Sequence, residues 1–174
     1  MIINASPLII FGKLNKMQIL KKLYKKIVIT PEVYNEVVLK GLEKGSKDAL
    51  IVKGHITNND IAVVSLEGRF SSTASRIQEI YDVHIGEAET IALALQLREK
   101  EAIIDEINAR EAARAFGIMP IGSLRVLLVA YKKNLINKDE INTLINEMEN
   151  SKYRFSPKVL IEFWELFNKI KRKE

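Results

Sequence analysis

Gly86-Glu87-Ala88-Glu89-Thr90-Ile91-Ala92-Leu93-Ala94-Leu95-Gln96-Leu97 runs through Arg98-Glu99-Lys100-Glu101 into Ala102-Ile103-Ile104-Asp105. From Glu87 to Glu99 this is the strongest helical stretch of the chain, with Ala88, Ile91, Ala92 and Leu95 on one stripe. Leu93 and Leu97 lie on the far side, so the helix is apolar nearly all round and reads as central. That second apolar side suits either core packing or a homodimer. After a charged break comes a short β-branched run ending on an acid, the pattern of a buried strand. A central helix followed by a short apolar strand and a carboxylate is one unit of an α/β fold.

The same alternation extends outward in both directions. Ile2-Ile3 reads as a first strand ending at Asn4, and Ser6-Pro7 carries a helix-start signal, Ser as cap and Pro in the first turn. Met17, Leu20, Leu23 and Tyr24 recur at helical spacing before a second strand, Ile27-Val28-Ile29. Thr30-Pro31 repeats the cap-and-proline signal and opens a helix closing near Gly41 or Gly45. Ser46 is placed to cap another helix ahead of a polar turn from His55 to Asp60, and Ile61 to Leu66 is the third strand. Ser71-Ser72 precede a helix through Ile77 and Ile80. Beyond Asp105, a helix over 109–116 stops at Gly117, a last strand covers 118–121, and Gly122-Ser123 starts a helix to Lys133. Helices over 138–149 and 156–171 complete the reading. Short strands alternating with helices predict a parallel sheet covered on both faces. We expect one domain over residues 1–150, with a helical extension over 151–174 packed on it.

Composition removes several classes of function. The 174 residues contain no Cys, which excludes a disulfide framework, thiol catalysis and thiolate metal sites. With only His55 and His84, a three-histidine centre is excluded too. A metal in this chain would be held by oxygen ligands. The start lacks the basic region of a signal peptide, and no apolar run approaches a membrane span. A soluble, cytoplasmic protein is the expectation. The net charge of +5 is unevenly spread: +5 over residues 1–60, −4 over 61–120 and +4 over 121–174. An acidic centre between basic arms suits metal-held chemistry on a polyanion.

Ligands in doubly wound sheets bind outside the carboxyl ends of the strands. Asn4 and Asp105 both fall there, directly after Ile-rich strands. Glu36 and Glu87, each near the start of a helix, complete a candidate constellation of Asn4, Glu36, Glu87 and Asp105. Crowded carboxylates repel unless a cation compensates, and hard oxygen donors suit Mg²⁺ or Mn²⁺. On the helical wheel Glu87 and Glu89 flank the apolar stripe at about 90° and 110°, so geometry hardly separates them. Glu36 lies off the Val33/Val37/Val38 stripe and reads, by itself, as solvated. Lys21, Lys22, Lys25 and Lys26 cluster on one short segment, either as a solvated face or as a phosphate grip. Tyr153, Phe155 and Trp164 occupy positions typical of packing.

Asn4-Ala5-Ser6-Pro7-Leu8-Ile9 resembles the Asp-Thr-Ser-Pro-Leu-Ile opening of PIN-domain proteins. Thr30-Pro31-Glu32-Val33-Tyr34-Asn35-Glu36-Val37 is similar to their second motif, Gly86 to Ala94 to the helix of the third acid, and Ile103-Ile104-Asp105-Glu106 to the strand of the last. The tract Gly117 to Leu128 is similar to a prokaryotic branch of the family. The resemblance implies a three-layer α/β/α fold with a central parallel sheet and extra C-terminal helices. It implies a ribonuclease that uses Mg²⁺ or Mn²⁺, with RNA as substrate, and many members are toxins paired with an antitoxin protein. Carried over residue by residue, it assigns catalysis and metal binding to Glu36, Glu87 and Asp105, with Asn4 at the first acid position. Glu87 is preferred to Glu89 for its spacing from Asp105, and Glu106 is a weaker fourth candidate. RNA contacts are expected at Lys21, Lys22, Lys25 and Lys26. One departure matters: the family has Asp where this chain has Asn4. An amide oxygen still coordinates but brings no charge, so the alternative is a weakened nuclease, or a silent module that binds RNA or a protein partner.

Overall fold

A computed structural model describes residues 1–151 and 153–170. Five short strands, β1 (Ile2–Ile3), β2 (Ile27–Ile29), β3 (Ile61–Val63), β4 (Glu101–Ile103) and β5 (Met119–Ile121), form one sheet in the order β3-β2-β1-β4-β5. Every pairing is parallel, with Ile2 registered against both Val28 and Ala102. This is the parallel sheet expected from the short Ile- and Val-rich runs, which carry no polar face to expose.

The connections explain where a site must lie. From β1 the chain steps to β2 and β3 through α1 (Ala5–Lys13), α2 (Met17–Leu23), α3 (Pro31–Tyr34), a π turn (Asn35–Leu39), α4 (Lys40–Glu43) and α5 (Lys47–Thr57). It then crosses back through α6 (Arg69–Tyr81) and α7 (Ile85–Gln96) to β4, and through α8 (Ile107–Ala115) to β5. Right-handed crossovers put these two helix sets on opposite faces, giving three α/β/α layers. The sense of winding reverses between β1 and β4. A crevice opens at the carboxyl ends of that pair.

Alternation along the strands divides the core. Ile2, Val28, Ala102 and Ile104 pack with Ala74 and Ile77 of α6, Ala88, Ile91 and Ala92 of α7, and Ala109, Ala112 and Ala113 of α8. Alanine on these facing surfaces lets helices approach one another and the sheet closely. Leu93 is fully buried in the same cluster, whereas Leu97 is 41% exposed, so only the former is a core residue.

Several helix ends follow the sequence and others do not: α6 begins at Arg69, so Ser71 and Ser72 lie inside it rather than ahead of it. Thr30 caps α3, its Oγ1 accepting from the Val33 N–H at 3.2 Å, with Pro31 in the first turn. Ser6 is not the cap of α1; the helix begins at Ala5, and Asn4 holds the N-cap position without a side-chain cap bond. The Asn4 side chain is drawn away by partners described below. The polar turn expected over 55–60 is shorter, because α5 runs through Thr57 and carries His55.

The chain divides into two compact units, residues 1–122 and 123–174. The second unit contains α9 (Ser123–Lys132), α10 (Lys138–Asn150) and α11 (Pro157–Lys169). The expected end of the last helix at Lys171 lies outside the described residues. Asn137 and Glu140 cap α10 reciprocally at 2.9 and 2.8 Å, and Tyr131 packs on Phe167 with ring centroids 4.5 Å apart. Trp164 stands edge-on to Phe163 and Phe167, and Tyr153 edge-on to Phe155, which is the packing role expected of them.

Leu93→Ala removes a fully buried side chain from the central helix. It should cost about 2–5 kcal/mol, read as a lower denaturation midpoint with an unchanged denaturant slope.

Candidate functional site

Asn4 leaves the carboxyl end of β1 in the crevice, 2% exposed. Its main-chain N–H donates to the Ile103 carbonyl at 3.0 Å, extending the β1–β4 ladder by one bond. Its side-chain Nδ2 donates to Glu106 Oε2 at 3.2 Å. On its other side, Thr90 Oγ1 lies 3.3 Å from Asn4 Oδ1 and 2.7 Å from the Gly86 carbonyl, sharing one proton between two acceptors. A carboxylate cannot donate, so the amide nitrogen must face Glu106 and the oxygen must face Thr90. Asn4 therefore presents a donor, not an oxygen ligand, to its acidic neighbour.

Glu36 reaches the crevice from the π turn, although the wheel had left it on the solvent side. A Cβ built on Gly86 would stand 3.0 Å from Glu36 Oε1 and 3.3 Å from its Cδ and Oε2, so the carboxylate rests directly on the first turn of α7. Glu87, the next residue, is buried, and its Oε2 accepts from the His84 N–H at 2.9 Å. Burial pushes the Glu36 carboxyl up from its ordinary value, Glu32 and Glu106 add to the rise, and Lys40 and His84 oppose it. Glu87 is likewise pushed up by burial, then by Glu106 and Glu36, against the opposing His84 hydrogen bond and charge. Glu106 thus adds to the rise of both, and Glu36 to that of Glu87.

The structure brings Asn4, Glu36 and Glu87 together, with Glu106 as their fourth member. Asp105 is placed differently. A Cβ on Gly122, at the end of β5, would lie 3.3 Å from Asp105 Oδ1 and 3.4 Å from Arg110 Nη1. Asp105 thus sits on the β5 side of β4, beside an arginine whose Nη1 also donates to the Ile104 carbonyl at 2.8 Å. Glu106, the next residue, is the acid that the Asn4 side chain meets.

Glu89 occupies the other flank of α7. Its Oε2 is the one buried side-chain polar atom among the described residues without a hydrogen-bond partner. The lysine cluster lies elsewhere. Lys25 and Lys26 directly precede β2, the Met1 ammonium donates to the Lys26 carbonyl at 3.0 Å, and Lys21 pairs at 2.7 Å with Asp60, directly before β3. His55 Nδ1 holds the other oxygen of Asp60 at 2.8 Å. These groups mark the amino edge of the sheet, opposite to the carboxylates. Thr90 was missed in the sequence, although a lone hydroxyl in an apolar helix one turn beyond Gly86 was a usable signal.

Among the described residues, no three His, Asp or Glu side chains are gathered closely enough, as they stand, to hold a metal ion. The residues nonetheless include three carboxylates, Glu36 and Glu87 raised chiefly by burial, and carboxylate oxygens are the donors that hard cations take. Asn4, in its observed orientation, is not part of such a donor set.

A parallel sheet with acids gathered near its switch point is the site architecture of a doubly wound α/β domain. A family model described as a PIN domain matches residues 1–169, and the chain belongs to the PIN-domain family. PIN domains are typically nucleases and generally use divalent metals. No curated protein and no solved structure matches the chain. Among the described residues, no helix is long and apolar enough to cross a membrane.

The raised carboxyls make stability depend on pH. Glu36 binds its proton more tightly folded than unfolded, so its favourable contribution is complete below the ordinary value of 4.5 and is lost as pH rises through the elevated value. In EDTA, Glu36→Gln should melt higher than the parent at pH 7, and the two should converge below pH 4.5. Parallel melts across this range check both the sign and the window.

Proposed function

We propose that the chain is a divalent-cation-dependent ribonuclease that hydrolyses RNA phosphodiester bonds. The observation that carries the reading is the convergence of Glu36, Glu87 and Glu106 on Asn4 at the β1–β4 switch point of a PIN domain. Glu36, Glu87 and Glu106 are the residues that would hold Mg²⁺ or Mn²⁺, with Asp105 as the neighbouring acid. When bound, such an ion lowers the pKa of a water and stabilises charge on the phosphate under attack. The chain's own part is positional. The π turn and α7 bring two carboxylates together, and Asn4 and Thr90 hold the Glu106 corner against them. The toxin role, with an antitoxin protein as partner, belongs to the same proposal.

One observation favours a second reading, a module that binds RNA or a protein partner without cleaving. The Asn4 amide already satisfies Glu106, and neither its charge nor its orientation helps a cation. Asn4→Asp separates the two readings. It replaces a donor facing Glu106 with a like charge, so the metal-free protein should lose about 1–3 kcal/mol. Mn²⁺ should restore that loss and raise the melting temperature of the variant more than that of the parent. Cleavage of single-stranded RNA should rise with it, and Glu87→Gln should abolish cleavage. If calorimetry and melts detect no Mn²⁺ response in either protein, the silent module is the correct reading. Asp105→Asn set against Glu106→Gln tells which acid serves the ion.

The lysines carry a separate test. Charge reversal at Lys22, Lys25 and Lys26, all exposed, should weaken RNA binding and flatten its salt dependence if the amino edge grips phosphates. Unchanged binding would assign these residues to a solvated surface.

A further inference from the structure

Gly86 has no backbone reason to be glycine. It is the second residue of α7, and it is not among the glycines with positive φ. Alanine would be the better helix former at such a place. Space is the reason instead: the three nearest heavy atoms to a Cβ there all belong to the Glu36 carboxyl group, at 3.0–3.3 Å. The same residue's carbonyl receives the Thr90 hydroxyl at 2.7 Å, so Gly86 touches the Asn4 network on one side and Glu36 on the other.

Glu36 in turn lies in the π turn Asn35–Leu39, between α3 and α4. One extra residue per turn redistributes side chains about the helix axis, and single π turns are frequent at functional sites. Val33, Val37 and Val38 stay buried on one side of this segment while Glu36 reaches α7. The helix thus both packs into the core and delivers an acid.

We infer that Gly86 is a positioning residue: its missing side chain is the seat on which the π turn sets the Glu36 carboxylate beside Glu87. The seat itself is independent of any cation. Its value for metal binding rests on the nuclease reading above.

A double-mutant cycle in EDTA tests the seat. With Glu36→Ala in the background, Gly86→Ala should raise the folding equilibrium constant about two- to fivefold, the ordinary gain for replacing a helical glycine. With Glu36 present, the gain should vanish or reverse, because the added methyl displaces the carboxylate. Equal gains in both backgrounds would overturn the inference. Mn²⁺ titration of the full chain adds the functional arm. Gly86→Ala should weaken Mn²⁺ binding at least tenfold, and Gly86→Ala combined with Glu36→Ala should be no weaker than Glu36→Ala alone. Undiminished Mn²⁺ affinity in Gly86→Ala would refute the positioning role. A parent chain that binds no Mn²⁺ overturns the nuclease reading, while the cycle in EDTA still decides the seat.

Discussion

Four elements of the carboxyl edge meet in one residue. The Asn4 main chain bonds Ile103 of β4 through its N–H at 3.0 Å and accepts from Leu8 of α1 at 3.3 Å, while its side chain reaches Glu106 and Thr90. An amide can donate on one side and accept on the other, and an aspartate there could only accept. Facing Glu106, a carboxylate would add repulsion to a place where Glu36 and Glu87 are already pushed up. The corner is held by neutral hydrogen bonding, whereas an all-acid corner needs a positive charge to hold it. Asn4 therefore bears on stability and on chemistry through the same two contacts.

The rest of the site is built around that corner by close packing. Glu36 lies on Gly86, Glu87 closes back on the His84 amide, and Thr90 shares its proton between the Gly86 carbonyl and Asn4. The first turn of α7 is thereby in contact with the π turn on one side and with the end of β1 on the other.

Charge is separated across the sheet. The acids stand at the carboxyl ends of β1 and β4, and Lys25 and Lys26 stand at the amino end of β2. Three-residue strands span about 10 Å, so a polyanion held by the lysines must travel over a helical layer to meet the carboxylates. Lys21 is drawn out of any such surface by Asp60, which it meets at 2.7 Å. Charge counts along the chain showed basic arms around an acidic centre, and only the fold showed that Lys25 and Lys26 stand at the other end of the sheet from the acids.

The sheet was legible because its signals are local. Ile2-Ile3, Ile27-Val28-Ile29 and Ala102-Ile103-Ile104 have no polar face, and Thr30-Pro31 begins a helix by its own side chain and ring. Asn4, Glu36, Glu87 and Asp105 could be grouped from strand ends and helix starts, but their roles came from motif resemblance, since nothing within a few residues of any of them reveals the others. Ser6 failed as a cap because Asn4, two residues earlier, was already in the capping position, and its side chain answers to residues 86 and 102 positions away. Glu36 read as solvated because the wheel assumes a regular helix, whereas residues 35–39 form a π turn in which Val37 and Val38 are buried. Which of the adjacent Asp105 and Glu106 meets the Asn4 side chain had no local signal. By itself the sequence determined the strands, most helix starts and the chemical character of the site. Tertiary structure alone decided which acids meet, because that rests on contacts between segments 50 to 100 residues apart, whose strength depends on burial and distance and leaves no local trace.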